Sequence, residues 1–127
     1  MTGTSRHPPK VVKRRWRFYT TAGGASPVAE FLDELSDDEA VHVAAAMKDV
    51  RKNGLPAAKH LRGDIYEVIA DGPNRSFRVL FAGEGSRGQV LLAVVAFSKK
   101  TQKAPPRMLT LANERLVDWR RRGRKGH

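Results

Sequence analysis

Cysteine is absent from this 127-residue chain, which excludes disulfides, thiolate metal centres and a cysteine nucleophile. Histidine is scarce. His7, His42, His60 and His127 are the full set, and no two stand at the i, i+4 spacing of a helical metal site. The second half of the chain offers no cluster of His, Asp or Glu for metal hydrolysis, so neither metal nor cofactor is expected. No apolar run approaches the roughly 20 residues that span a bilayer. The opening MTGTSRHPPK lacks the apolar stretch of a secretion signal, and the expectation is a cytoplasmic protein without a membrane partner. A phosphate-binding loop is missing too: Gly83, Gly85 and Gly88 fall between strand-like runs and read as turn glycines. Ser-His-Asp chemistry stays open, although no strained nucleophile elbow is present.

Acids are few relative to bases. Thirteen Asp and Glu face 24 Lys and Arg, giving a formal charge of +11 and a pI near 10.7, the electrostatic footprint of a nucleic-acid binder. The signs are sorted along the chain. Residues 1–20 hold six cations and no acid, residues 26–40 hold six acids and no base, and residues 98–127 hold ten cations and two acids. The acidic block covers two helix starts, where the macrodipole favours anions. The basic blocks have no such local reason and are better candidates for a binding face.

The chain is long enough for one core and too short for two, and no repeat or linker divides it. Residues 1–10 read as a flexible arm, 11–123 as one domain and 124–127 as a basic tail. Val11–Thr20 alternates, with Val12, Trp16 and Phe18 on one side and Lys13, Arg15 and Arg17 on the other, as in a half-buried strand. Ser26-Pro27 marks a helix start. Ser36-Asp37-Asp38-Glu39 is a capping box that opens a second helix, ended by Gly54. Strands follow at Ile65–Ala70, Ser76–Ala82 and Gln89–Phe97, the last apolar enough to be buried on both faces. Pro105 and Pro106 introduce a final helix, closed by Gly123. The fold class is α+β, in the order β-α-α-β-β-β-α, with a mainly antiparallel sheet, an N-terminal helical hairpin and a C-terminal helix.

The remaining chemistry lies in cations around two strands. In Phe77-Arg78-Val79-Leu80-Phe81 the apolar residues at odd positions share a face, and Arg78 projects to the other beside Leu80. Ser98-Lys99-Lys100-Thr101-Gln102-Lys103 leaves the buried strand and can bring Lys99, Lys100 or Lys103 near Arg78 or Arg62. Such a set suits RNA cleavage by the ribose 2′-hydroxyl, which needs a base, stabilisation of the phosphorane and a proton donor. A lysine crowded by cations has a lowered pKa, and arginine grips phosphate in a fork. Tyr66 and Trp119 read as packing residues rather than base-stacking platforms. The run from Arg120 to Lys125 suits solvation of a helix C-terminus or nonspecific phosphate attraction.

Three segments carry a resemblance: Leu61-Arg62-Gly63-Asp64-Ile65-Tyr66-Glu67, Phe77-Arg78-Val79-Leu80-Phe81, and Ala96-Phe97-Ser98-Lys99-Lys100-Thr101-Gln102-Lys103-Ala104-Pro105. Over roughly residues 14 to 120 the chain resembles the HigB-like, phage-derived branch of the RelE/ParE toxin superfamily. The resemblance implies a RelE-like fold and a type II toxin that cleaves mRNA at the ribosome and is silenced by a helix-turn-helix, HigA-like antitoxin. It makes Arg78 the contact to the scissile phosphate and Lys99, Lys100 and Lys103 the basic motif for RNA binding and catalysis; Arg62 is added to the catalytic set from the reading of the cations above. Arg51, Lys52, Lys59, Arg75 and Arg107 are read as contacts to RNA and ribosome. The chain departs from the pattern at Ile69, where such sequences commonly carry arginine. Either Arg62 or Arg75 substitutes, or the activity is weakened or lost. Two other readings stay beside the nuclease: a ParE-like gyrase-blocking toxin, and a silent relative that binds RNA or antitoxin.

Overall fold

Alternating apolar residues build a five-stranded sheet whose two faces are covered by different helices. The computed structural model describes residues 13–99 and 104–125. Its elements are β1 (Arg15–Phe18), α1 (Pro27–Asp33), α2 (Asp37–Asn53), a 3-10 turn (Leu55–Ala57), β2 (Lys59–Arg62), β3 (Ile65–Asp71), β4 (Ser76–Glu84), β5 (Val90–Lys99) and α3 (Pro106–Lys125). Spatial order is β1-β5-β4-β3-β2. Only β1 and β5 run parallel; the other neighbours are antiparallel. The expected α+β architecture is what the chain adopts.

The face under α1 and α2 collects Val28, Val43, Met47, Val50, Val68, Ala70, Phe77, Val79, Phe81, Leu91 and Ala93. The opposite face, under α3, collects Tyr19, Ile65, Leu80, Ala82, Leu92, Val94, Val95, Phe97, Ala112 and Leu116. Each fully buried side chain of this size contributes about 1.5–3 kcal/mol, so the two clusters together hold the sheet between its helices. Strand β5 feeds both, as its continuous apolar run requires.

Capping at Ser36 is as the sequence implies: the Glu39 amide donates to Ser36 Oγ at 3.2 Å, and the Ser36 amide donates to Glu39 Oε1 at 3.0 Å. At the other end of α2, the Arg14 guanidinium donates to the carbonyls of Arg51 and Lys52 at 3.3 Å each. Gly54 lets that side chain lie close. Its φ is +82°, and a Cβ there would come within 2.7 Å of Arg14 Nη2.

Four expectations change. Strand β1 has four residues, because pairing with β5 begins at Arg15 and stops at Phe18; Val12 and the arm lie outside the described residues. Ser26 makes no side-chain cap; its carbonyl accepts from the Glu30 amide at 3.0 Å instead. A further edge strand, β2, pairs with β3, making the antiparallel run four strands long; Lys59-His60-Leu61-Arg62 is too polar to announce itself. Helix α3 passes through Gly123 to Lys125. Glycine in a helix costs only about 1 kcal/mol, and Arg122 ties this last turn down through Asp118 and the Thr20 carbonyl.

A β-bulge in β5 decides which residues meet. Leu80 pairs with Val95 and Phe81 with Ala93, leaving Val94 as the extra residue. A bulge of one residue reverses the facing of everything after it. Leu91 and Ala93 face α2, whereas Val95 and Phe97 face α3, and Lys99 follows their parity. The carbonyl of Val94 accepts from Arg115 Nη1 of α3 at 2.7 Å, which pins the bulge.

Candidate active site

Arg78 stands on β4 with its apolar neighbours Phe77, Val79 and Phe81 turned to the α2 face, so its own side chain lies on the α3 face. It is 7% exposed. Directly across the ladder stand Ile69 of β3 and Phe97 of β5. Glu67, two residues before Ile69 on the same strand and face, is 1% exposed and places Oε2 at 3.5 Å from Arg78 Nε. Arg78 Nη1 also donates to Ser76 Oγ and, at 3.1 Å, to the Phe77 carbonyl. Ser76 in turn donates to Asp71 Oδ1 at 2.6 Å. The guanidinium is therefore held by a carboxylate on one side and a hydroxyl on the other.

Lys99 ends β5 opposite Ser76 and is 7% exposed. Burial pushes its pKa down from the ordinary lysine value; the Arg78 and Lys59 charges push the same way, and the Glu67 carboxylate opposes them. Desolvation disfavours the ammonium, and like charges add to that effect. Among the cations expected at the site, Lys59 pairs across the ladder with Glu67, close enough for its charge to act on Lys99. A cavity of about 400 Å³ opens beside this cluster, lined by Gly72, Pro73, Asn74, Arg75, Ser76, Ser98 and Lys99. It sits between the β3–β4 turn and the end of β5. Lys99, Arg75 and Ser76 contribute to its wall, and Arg78 is joined to it through its bond to Ser76 Oγ.

The remaining expected residues scatter. Arg75 lines the cavity, but its guanidinium is engaged by Glu39, with Nε–Oε2 at 3.0 Å and Nη2–Oε1 at 3.2 Å. This bonding, with the Ser36 amide, holds the Glu39 carboxyl down at a pKa of about 2. Arg62 is exposed on β2 beside Ile65, four residues along β3 from Ile69, or about 13 Å; the register does not bring it to Arg78. Arg51 and Lys52 are exposed at the end of α2, and Arg107 in the first turn of α3. Lys100 and Lys103 lie outside the described residues. Ile69, 42% exposed, occupies the position beside Arg78 where the resemblance expects a second guanidinium. Tyr66 packs against Phe81 at 5.9 Å and Trp119 against the α3-face core.

Glu67 was not singled out by sequence reasoning. A signal existed: it is the one acid inside Ile65–Ala70, and a carboxylate within an otherwise apolar buried strand requires a partner. Identifying that partner as Arg78 needed the hairpin register.

Taken together, the fold and the cavity define an α+β domain with a pocket at the ends of its central strands, lined in part by Arg75 and Lys99. The model of the family described as "Phage derived protein Gp49-like (DUF891)" matches residues 30–117, and this chain belongs to that family. It is also 32% identical over 118 residues, covering 90% of the chain and 91% of the relative, to proteins named "Probable endoribonuclease HigB1" from the CDC 1551 / Oshkosh and ATCC 25618 / H37Rv strains of Mycobacterium tuberculosis. The HigB-like grouping expected from the motifs agrees with both findings. No helix among the described residues is long and apolar enough to cross a membrane.

Proposed function

We propose that this protein is the toxin of a type II toxin–antitoxin system, a cytoplasmic, metal-independent endoribonuclease that cleaves mRNA and thereby inhibits translation. The observation that carries the reading is the buried Arg78–Glu67 pair beside a desolvated Lys99 at the mouth of a cavity. The endoribonuclease name of the Mycobacterium tuberculosis relatives supports it.

In this reading a phosphodiester enters the cavity with its non-bridging oxygens toward Arg78, which Glu67 and Ser76 hold in place. Lys99, whose ammonium burial disfavours, accepts the proton of the ribose 2′-hydroxyl. The 2′-oxygen then bonds to phosphorus as the bond to the 5′-oxygen breaks. Arg78 stabilises the extra charge of the phosphorane. The leaving oxygen takes a proton from an ammonium group, the role that the family's basic motif leaves to Lys100 or Lys103. The products are a 2′,3′-cyclic phosphate and a 5′-hydroxyl end. Lys59, Arg75, Arg107, Arg51 and Lys52 supply further attraction for RNA and the ribosome, and a helix-turn-helix, HigA-like antitoxin silences the toxin. Ile69 removes one guanidinium from the site and holds the rate below what arginine there allows.

Primer extension on mRNA after brief induction tests this. Lys99→Met removes a buried cation without opening a cavity. It is expected to abolish new cleavage ends while melting at or above the wild-type temperature, and Ile69→Arg is expected to give more ends. Undiminished cleavage in Lys99→Met overturns the assignment of the base. Growth arrest with intact mRNA and damaged DNA would place the protein with gyrase-blocking toxins instead.

A further inference from the structure

Arginines from both ends of the sequence, Arg15 and Arg17 of β1 and Arg121 and Arg122 of α3, lie at the pole of the molecule remote from the candidate active site. Arg15 and Arg17 alternate with Trp16 and Phe18 on β1. Since the latter two pack on the α2 face, the arginines lie on the α3 face, and both are exposed. The Arg17 guanidinium sits 5.0 Å from the centroid of the Trp119 ring. One turn on, Arg121 and Arg122 reach Asp118 at 3.5 and 3.0 Å. Arg121 and Arg122 thus share Asp118, and neighbouring Arg120 is committed to Glu84 and Asp64, so that five arginines (Arg15, Arg17, Arg120, Arg121 and Arg122) stand against three acids. Arg15 has no ion pair among the described residues.

This pole is far from the cleavage chemistry. β1 pairs with the first four residues of β5, and Lys99 is the last of ten. At about 3.3 Å per residue the strand separates Lys99 from Arg17 by about 23 Å and from Arg15 by about 30 Å. No phosphate held at Lys99 reaches Arg15, so these arginines have no part in the reaction itself. Their arrangement is that of a phosphate-binding surface. Arg15 and Arg17 are two residues apart on one strand face, about 6.6 Å, an interval suited to neighbouring phosphates of one nucleic-acid strand. Stacking on Trp119 limits the rotamers of Arg17 before any ligand arrives, which lowers the entropy cost of binding.

We propose that Arg15 and Arg17, backed by Arg121 and Arg122, form a second RNA site that grips the backbone of structured RNA independently of cleavage. The proposal rests on the nuclease reading for its biological sense but not for its test. Binding of a short RNA hairpin is measured by fluorescence anisotropy across a salt series, using wild type, Arg15→Gln/Arg17→Gln and Arg78→Gln/Lys99→Gln, each checked for folding by thermal melting. Each lost phosphate contact lowers the slope of log K against log salt by about 0.9 on a duplex. The β1 variant is expected to lose close to two units of slope and at least tenfold in affinity, while the cavity variant, which lacks only the contact to the scissile phosphate, loses less of both. An unchanged slope in the folded β1 variant overturns the proposal, as does an equal loss in the cavity variant. Arg15→Lys/Arg17→Lys keeps the charge and recovers most of the binding; failure to recover it would mean packing on Trp119, not phosphate attraction, was removed. A protein that binds hairpin through Arg15 and Arg17 yet leaves no cleavage ends in cells overturns the nuclease reading and leaves this site standing.

Discussion

Replacing Glu67 by glutamine tests the central arrangement most directly. The side chain keeps its shape and an acceptor oxygen but loses the charge that faces Arg78 Nε at 3.5 Å. Both partners are buried, at 1% and 7% exposure. Breaking a buried pair by removing one charge costs about 3–5 kcal/mol, because the remaining ion is left uncompensated in a medium of low polarity. Arg78 retains Ser76 and the Phe77 carbonyl, which argues for the lower end, about 3 kcal/mol. A 127-residue domain has roughly 6–19 kcal/mol in hand at typical values per residue, so the variant folds. Its melting temperature should fall by about 10 °C, interpolating between the size classes for which the shift per kcal/mol is known. Glu67→Leu/Arg78→Met, with both charges gone and volume retained, should come within about 1 kcal/mol of wild type. With Glu67→Leu and Arg78→Met each costing about 3 kcal/mol alone, the double-mutant coupling is about 5 kcal/mol, read from urea unfolding of the four proteins of that cycle. A second readout separates electrostatics from packing. Glu67 is the neighbour that raises the Lys99 pKa, so Glu67→Gln should move the Lys99 side-chain titration, followed by NMR, further below its wild-type value. A loss under about 0.5 kcal/mol, the range of an ordinary surface change, or a Lys99 titration that moves upward, refutes the reasoning.

Arg115→Met removes the bond that holds the Val94 carbonyl of the β5 bulge. A hydrogen bond to a charged donor contributes about 1.5–3 kcal/mol, so urea unfolding should show a loss in that range, and cleavage should fall as Lys99 loses its register opposite Ser76. The Arg75–Glu39 contact gives a pH dependence. The folded carboxyl has its pKa lowered from 4.5 to about 2. Its contribution is therefore present in full above pH 4.5 and disappears as the pH falls toward 2. Thermal melts of wild type and Arg75→Gln should differ at pH 6 and converge at the acid end; a constant gap across that range would contradict the assignment.

Much of the architecture could be read from local pattern. The alternation at Trp16 and Phe18, the capping box at Ser36 and the continuous apolar run of β5 are properties of short stretches. They act through the same chain physics wherever those stretches sit. Strand β2 escaped because edge strands need only one neighbour and carry few apolar residues, and β3 supplied the pairing. The passage of α3 through Gly123 escaped because its last turn is held by Asp118 and the Thr20 carbonyl, neither visible as a capping signal.

The sequence by itself determined the charge of the domain, its sorting into blocks, the α+β order and the facing of Arg78, which follows from strict alternation around it. Whether Lys99 joins Arg78 was decided only in three dimensions. On unbroken alternation Lys99 belongs with Leu91 and Ala93 on the α2 face; the extra residue at Val94, stabilised by Arg115 from a helix twenty-one residues later, turns it to the other. The same holds for Glu67, whose partner lies across a hairpin, and for the cation that stands nearest Lys99 from β2, Lys59 rather than Arg62. Register and bulges are properties of paired strands, so no single strand contains the information.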